Sequence, residues 1–119
     1  MNKNSFEKIL AWQRARDLAV FTYNTFRSSR DYGFKDQIQR AAVSVMNNIA
    51  EGFERFGSKE LRKFLYISKG SSGEVSSMYI LAKELKYVDD VNFSTGYNLS
   101  CEVSRLLGGF IRKLAPSAS

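Results

Sequence analysis

The sequence predicts an all-α protein, an antiparallel up-down-up-down four-helix bundle, and three observations carry that prediction. Apolar residues recur at steps of three and four through four long stretches, which lines one face of a helix. The stretches are separated by three short joins containing Gly, Ser and Asp, and short joins make successive helices antiparallel neighbours. The only proline, Pro116, lies beyond the last stretch, so none interrupts a long helix.

Residues 1–9 are a polar lead-in until Phe6 and Ile9, which are expected to dock on the bundle. Helix one is expected from about Leu10 to Ser29, striped by Trp12, Ala15, Leu18, Ala19, Thr22 and Phe26. Val20, Phe21 and Tyr23 widen its apolar arc, so it is expected to meet more than one neighbour. Arg30-Asp31-Tyr32-Gly33 reads as a turn. Helix two is expected from Phe34 to Phe56, with Ile38, Ala41, Ala42, Val45, Ile49 and Phe53 on one face. Ala41, Ala42, Ala50 and Gly52 are small enough to admit another helix closely.

Gly57-Ser58 is expected to end that helix and start the next, glycine as C-cap and serine as N-cap. Helix three then runs from Lys59 to about Tyr87, with Leu61, Phe64, Leu65, Ser68, Ser72, Val75, Tyr79, Ala82 and Leu85 on its stripe. Its middle, KGSSGEVSS, looks like a loop by composition, but the apolar period keeps its phase on both sides. Gly70 and Gly73 inside a helix cost about 1 kcal/mol each against alanine, so they need a role. Close helix-helix contact is the favoured one and a ligand notch the alternative. Asp89-Asp90 starts helix four, expected from Asp90 to Leu114 with Phe93, Tyr97, Ser100, Ser104, Leu107, Ile111 and Leu114 on its stripe. Residues 115–119 are expected to form a flexible tail.

The chain's 119 residues are most simply one domain, 1–119, with ordinary globular hydrophobic (44%) and charged (25%) fractions. No apolar run approaches the roughly 18–20 residues of a membrane span, no secretory signal is evident, and Cys101 is alone. A protein that is not membrane-bound, in a reducing cytoplasm, is the expectation. The sequence contains no histidine, which removes the commonest general base and nitrogen ligand.

The residues Trp12-Gln13-Arg14-Ala15, Gln37, Arg40-Ala41-Ala42-Val43-Ser44-Val45 and Asn48-Ile49-Ala50-Glu51-Gly52 form a pattern. Arg55, Ser58-Lys59-Glu60, Phe64-Leu65 and Gly70-Ser71 with Glu74 continue it. On these blocks the chain, from Phe6 to Leu114, resembles the 23S ribosomal RNA intervening-sequence protein family of bacteria. The family often has proline after helix one and before the Asn48–Gly52 block; here Ser28-Ser29 and Met46-Asn47 stand there, and the second departure should leave helix two straighter. The resemblance implies an all-helical bundle, a ring-like homo-oligomer (pentamers occur) and no known enzymatic activity. Some members are encoded inside insertions in ribosomal RNA genes. A related group serves as accessory protein to a retroelement reverse transcriptase and binds nucleic acid through a basic surface.

A metal or catalytic reading finds little support. Glu51 and Glu54 lie three apart on a helix, but a di-iron bundle needs Glu-x-x-His pairs. Pairing of Glu51, Glu54 and Glu60 with Arg55, Lys59 and Arg62 is the expected alternative. Cys101 has no histidine partner for nucleophilic catalysis and is expected to be inert packing. No metal, no cofactor and no catalytic residue is therefore expected.

The net charge of +6 favours a polyanion partner, RNA or DNA first and an acidic membrane surface second. In the predicted topology Lys8, Arg14, Arg16, Arg55, Lys59, Arg62, Lys63, Arg112 and Lys113 share one pole, against Glu7, Asp17, Glu51, Glu54 and Glu60. The other pole balances. Arg55, Lys59, Arg62, Lys63, Arg14, Arg112 and Lys113 are the candidate nucleic-acid contacts, and a merely solvated charged end is the alternative. The aromatics are mostly assigned to helical stripes, so binding should rest on phosphates rather than base stacking. Val20, Phe21, Tyr23, Val43, Met46, Tyr66, Ile67 and Ile80 exceed what one core-facing stripe needs, which predicts homo-oligomerisation, preferably a pentameric ring. The competing function is a structural adaptor whose ring docks a protein such as a polymerase-like enzyme.

Overall fold

Asp31 and Asp89 begin two of the four helices for one chemical reason. Each side chain accepts a hydrogen bond from a backbone N–H three residues on, Phe34 at 3.1 Å and Asn92 at 2.7 Å. The computed structural model describes residues 6–116, so positions 1–5 of the lead-in and 117–119 of the tail lie outside the described residues. A short 3-10 turn, Phe6–Lys8, precedes α1 (Leu10–Phe26), α2 (Tyr32–Glu54), α3 (Ser58–Glu84) and α4 (Asp90–Leu114). No strand occurs among the described residues, and the fold is the four-helix bundle the periodicity predicts.

The helix ends differ from the expected ones for local reasons. Arg30-Asp31-Tyr32-Gly33 is partly helix, because the Asp31 cap lets α2 begin at Tyr32. Ser58 does not cap α3: Gly57 holds the cap position at φ 93°, where a side chain is strained, and Ser58 is already helical. Helix α3 stops at Glu84 rather than Tyr87. Lys86 adopts φ 62°, the Tyr87 N–H bonds the Ala82 carbonyl at 2.8 Å, and the Lys86 N–H bonds that of Lys83 at 3.0 Å. That is a Schellman stop with lysine where glycine is usual. The Tyr87 hydroxyl then donates to Asp31 at 2.8 Å, tying this stop to the α1–α2 turn. The Phe34 N–H and the Tyr87 hydroxyl hold the Asp31 carboxyl below its ordinary pKa.

Around the bundle α1 packs on α2 and α4, and α3 packs on the same two, so α1 and α3 occupy opposite corners. Leu18, Ile38, Val45, Ile49, Leu65, Val75, Tyr79, Val103 and Leu107 are fully buried and form the centre of the core. Across it the hydroxyls of Thr22 and Tyr79 lie 2.8 Å apart. Burial pushes the Tyr79 phenol up to about 12. Phe6 meets Trp12 edge-on at 5.1 Å, so the described end of the lead-in does dock.

Small residues are used differently from the expectation. Gly70 and Gly73 have open space where a side chain would stand, so neither makes close contact within the chain, and Gly70 instead lines a groove with Tyr66, Lys69, Gly108, Ile111 and Arg112. Close approach to α3 comes from Gly52 of α2, whose missing side chain leaves room for Phe64 and Leu61, and from Gly96 of α4, which lies against the Tyr79 ring. On α3 itself serines do the work. Ser68 donates to the Val45 carbonyl at 2.6 Å and Ser72 to the Ser100 carbonyl at 2.8 Å. Each satisfies a buried hydroxyl while adding almost no bulk.

Candidate nucleic-acid interface

The α2–α3 junction forms because Gly57 reverses the chain after Glu54 and sets Lys59, Arg62 and Lys63 on the first turns of α3. Glu60 in that first turn complements the helix dipole. Arg55 is held by Glu51 at 2.7 Å and lies over the Phe64 ring. This pair matches expectation, but Glu54 and Glu60 form no ion pair among the described residues. Among the described residues Lys59, Arg62 and Lys63 have no acid partner; they lie beside Tyr66 and Ile67, with Lys59 and Lys63 exposed and Arg62 half-buried.

Three of the sequence candidates separate from the rest. The Arg14 guanidinium bonds Glu102 of α4 at 2.9 Å and Asp17 at 3.1 Å. Those carboxylates raise its pKa and leave it little capacity for a phosphate. Arg112 does not join the junction cluster. It lines a groove between α3 and α4 with Lys69, Arg105 and Ser104, floored by Gly108. Lys113 lies around the corner, beside Ile9, Leu10, Leu106 and Phe110 in the α1–α4 cleft.

Lys69 and Arg105 were missed by the sequence reading. Arg105, Gly108 and Arg112 repeat at three and four on α4, so two cations flank a position with no side chain. That pattern was visible, but Lys69 joins it only through tertiary packing. The groove has a volume of about 350 Å³, and no ion pair engages Lys69, Arg105 or Arg112 among the described residues. Phe56 is one aromatic that no stripe claims. It is 100% exposed at the tip of the junction, between Arg55 and Lys59.

The motif residues Asn48, Ile49, Ala50, Glu51, Gly52, Gly70, Ser71 and Glu74 have mainly structural surroundings. Asn48 donates to the Ser44 carbonyl at 2.9 Å, and the Ser44 and Ser71 hydroxyls lie 2.8 Å apart. Gln37 donates to Glu74 at 3.3 Å. Ile49 and Gly52 are buried, and Gly70 faces outward. These contacts line the α2–α3 seam. Cys101 is half-buried next to Tyr97, whose phenol it raises by hydrogen bonding. Among the described residues no group of three or more His, Cys, Asp or Glu could hold a metal ion. No described helix is long and apolar enough to cross a membrane.

Residues 7–109 match the family described as 23S rRNA-intervening sequence protein. A crystal structure from the S23 ribosomal protein family of Bacteroides thetaiotaomicron, itself described as of unknown function, superposes with a TM-score of 0.82 at 20% identity. The match covers 87% of this chain and 99% of that one, and at this identity it shows a shared fold. No curated protein matches.

Proposed function

Since the chain belongs to the 23S rRNA-intervening sequence protein family, we propose that it is a non-enzymatic, oligomeric polyanion-binding bundle that associates with ribosomal RNA or another nucleic acid. The observation that carries this reading is the set of cations that have no acid partner among the described residues, on one end and one side of the bundle. Lys59, Arg62 and Lys63 crowd the junction, and Lys69, Arg105 and Arg112 surround Gly108. A phosphate entering the groove would meet three cationic donors, with Lys69 and Arg112 reaching over Gly108. A closed ring of copies, a pentamer by the family resemblance, repeats these sites, so weak phosphate contacts add through effective concentration.

Binding by phosphates alone is sequence-tolerant and falls steeply with salt as counterions are no longer released to advantage. A salt-titrated gel shift tests the proposal. The wild-type chain is expected to shift structured RNA at about 50 mM salt and lose it well below 300 mM. Arg62→Glu/Lys63→Glu and Lys69→Glu/Arg112→Glu are each expected to weaken binding at every salt and to flatten its salt dependence. No shift by wild type at low salt overturns the nucleic-acid reading. The chain is then a protein-protein adaptor, for which the exposed Phe56 and the apolar α1–α4 cleft are the available surfaces.

A further inference from the structure

The outward faces of α1 and α3 carry apolar side chains that the bundle leaves uncovered. On α1 a stripe at heptad spacing comprises Arg16, Val20, Tyr23 and Arg27, with Val20 56% and Tyr23 42% exposed. On α3 the outward stripe comprises Ile67, Gly70, Glu74, Ser77, Leu81 and Glu84 at the same spacing, with Ile67 44% and Leu81 47% exposed. Because α1 and α3 sit at opposite corners, one copy presents two different apolar stripes on opposite sides. A two-fold dimer pairs a surface with itself and covers only one of them. Pairing one stripe with the other covers both.

The charges and heights agree with that pairing. Both helices run in the same direction in the bundle. Arg14 bonds Glu102, and Ser72 bonds both Ser100 and Ser104, so Arg14 and Ser72 stand at one height. The Thr22–Tyr79 bond places the upper half in the same register. Arg16 is thus level with Glu74, Val20 with Ser77, Tyr23 with Leu81 and Arg27 with Glu84. Both cations face carboxylates, and each aromatic or aliphatic side chain on α1 faces a small or apolar one on α3. Among the described residues Arg16 meets the adjacent Asp17 at 3.3 Å and the Trp12 ring, and Arg27 donates to Asn24 at 2.6 Å. Glu74 and Glu84 have no ion pair among the described residues.

We propose that the partner on these faces is a second copy of this chain: the α1 stripe of one copy lies parallel along the α3 stripe of the next, with Arg16 against Glu74 and Arg27 against Glu84. Gly70, Gly73 and Ser77 then provide the close approach between copies that they do not provide inside one. The contact is heterologous, so it adds copies head to tail. Both stripes are rotated toward α2: Glu74 bonds Gln37 of α2, while Arg14, on the other flank of α1, bonds α4. Successive copies therefore curve toward the α2 side, leaving the Lys69–Arg105–Arg112 groove on the outside. This rests on the oligomeric part of the reading above and specifies its contact.

Cysteine cross-linking tests it in a Cys101→Ser background. Tyr23→Cys and Leu81→Cys cannot pair within a chain, because α1 and α3 have no Cα atoms within 8 Å of each other. Oxidation of the double variant is expected to give a ladder in steps of 13.5 kDa, with each single variant remaining monomeric on the gel. Arg16→Glu and Glu74→Arg are each expected to lower the assembled mass in light scattering, and their combination to restore it. An assembled wild type with no ladder, or dimers from either single variant, overturns this contact and leaves the oligomeric reading standing. A wild-type mass of 13.5 kDa in solution overturns both.

Discussion

The inner and outer faces of α3 are both rich in small residues, yet only the inner one is used within the chain. Inside, Ser68 and Ser72 hold α2 and α4 close through buried hydroxyl bonds, and Gly52 and Gly96 on the opposing helices make room for Phe64 and Tyr79. Outside, Gly70 and Gly73 face open space and Ser77 is exposed. The same composition thus answers two different demands. Small residues on the inside permit close packing that is already complete. Those outside weaken the helix without return until something covers them.

Substitutions at the two kinds of glycine should separate most sharply. Gly96→Ala places a methyl group on top of the Tyr79 ring, so it is expected to cost about 3 kcal/mol and lower the melting temperature by about 10 °C. An unchanged melting curve would mean that α4 slides freely against α3. Alkaline titration probes the same contact next. Tyr79 stays protonated in the fold to about 12, while the unfolded phenol ionises near 10. Its contribution is present below pH 10 and is lost as pH rises through about 12, about 2–3 kcal/mol in all, read by denaturant unfolding at each pH. Tyr79→Phe should flatten that dependence, while costing about 1–2 kcal/mol because the Thr22 hydroxyl loses its partner.

Smaller effects are expected away from the seam. Lys86→Gly relieves a left-handed lysine at the α3 stop and should stabilise by about 1 kcal/mol in urea unfolding. Gly73→Ala has room for its methyl group and should gain somewhat less than about 1 kcal/mol from helix propensity, measured on dilute protein. If instead it loses stability in a concentration-dependent way, the outer face is packed against another copy, which sharpens the contrast between the two faces.

Periodicity alone determined the all-α class, the four helices and most of the core, because a helix buries whatever recurs at three and four. Leu18, Ile38, Val45, Leu65, Tyr79 and Leu107 all lie where their stripes put them. Asp89 was legible as a cap because its chemistry is local. Family membership was legible as well, since its blocks are contiguous in sequence. Tertiary structure alone decided which small residues meet a neighbour, because Gly73 and Gly96 look alike in sequence and differ only in what faces them. It likewise decided which cations stay unpaired: Arg14 is claimed by Glu102 from 88 positions away, and Lys69 joins Arg105 and Arg112 only because α3 lies against α4. Helical stripes depend on neighbours a few residues along the chain, whereas partners across a seam depend on how two helices are rotated and aligned against each other.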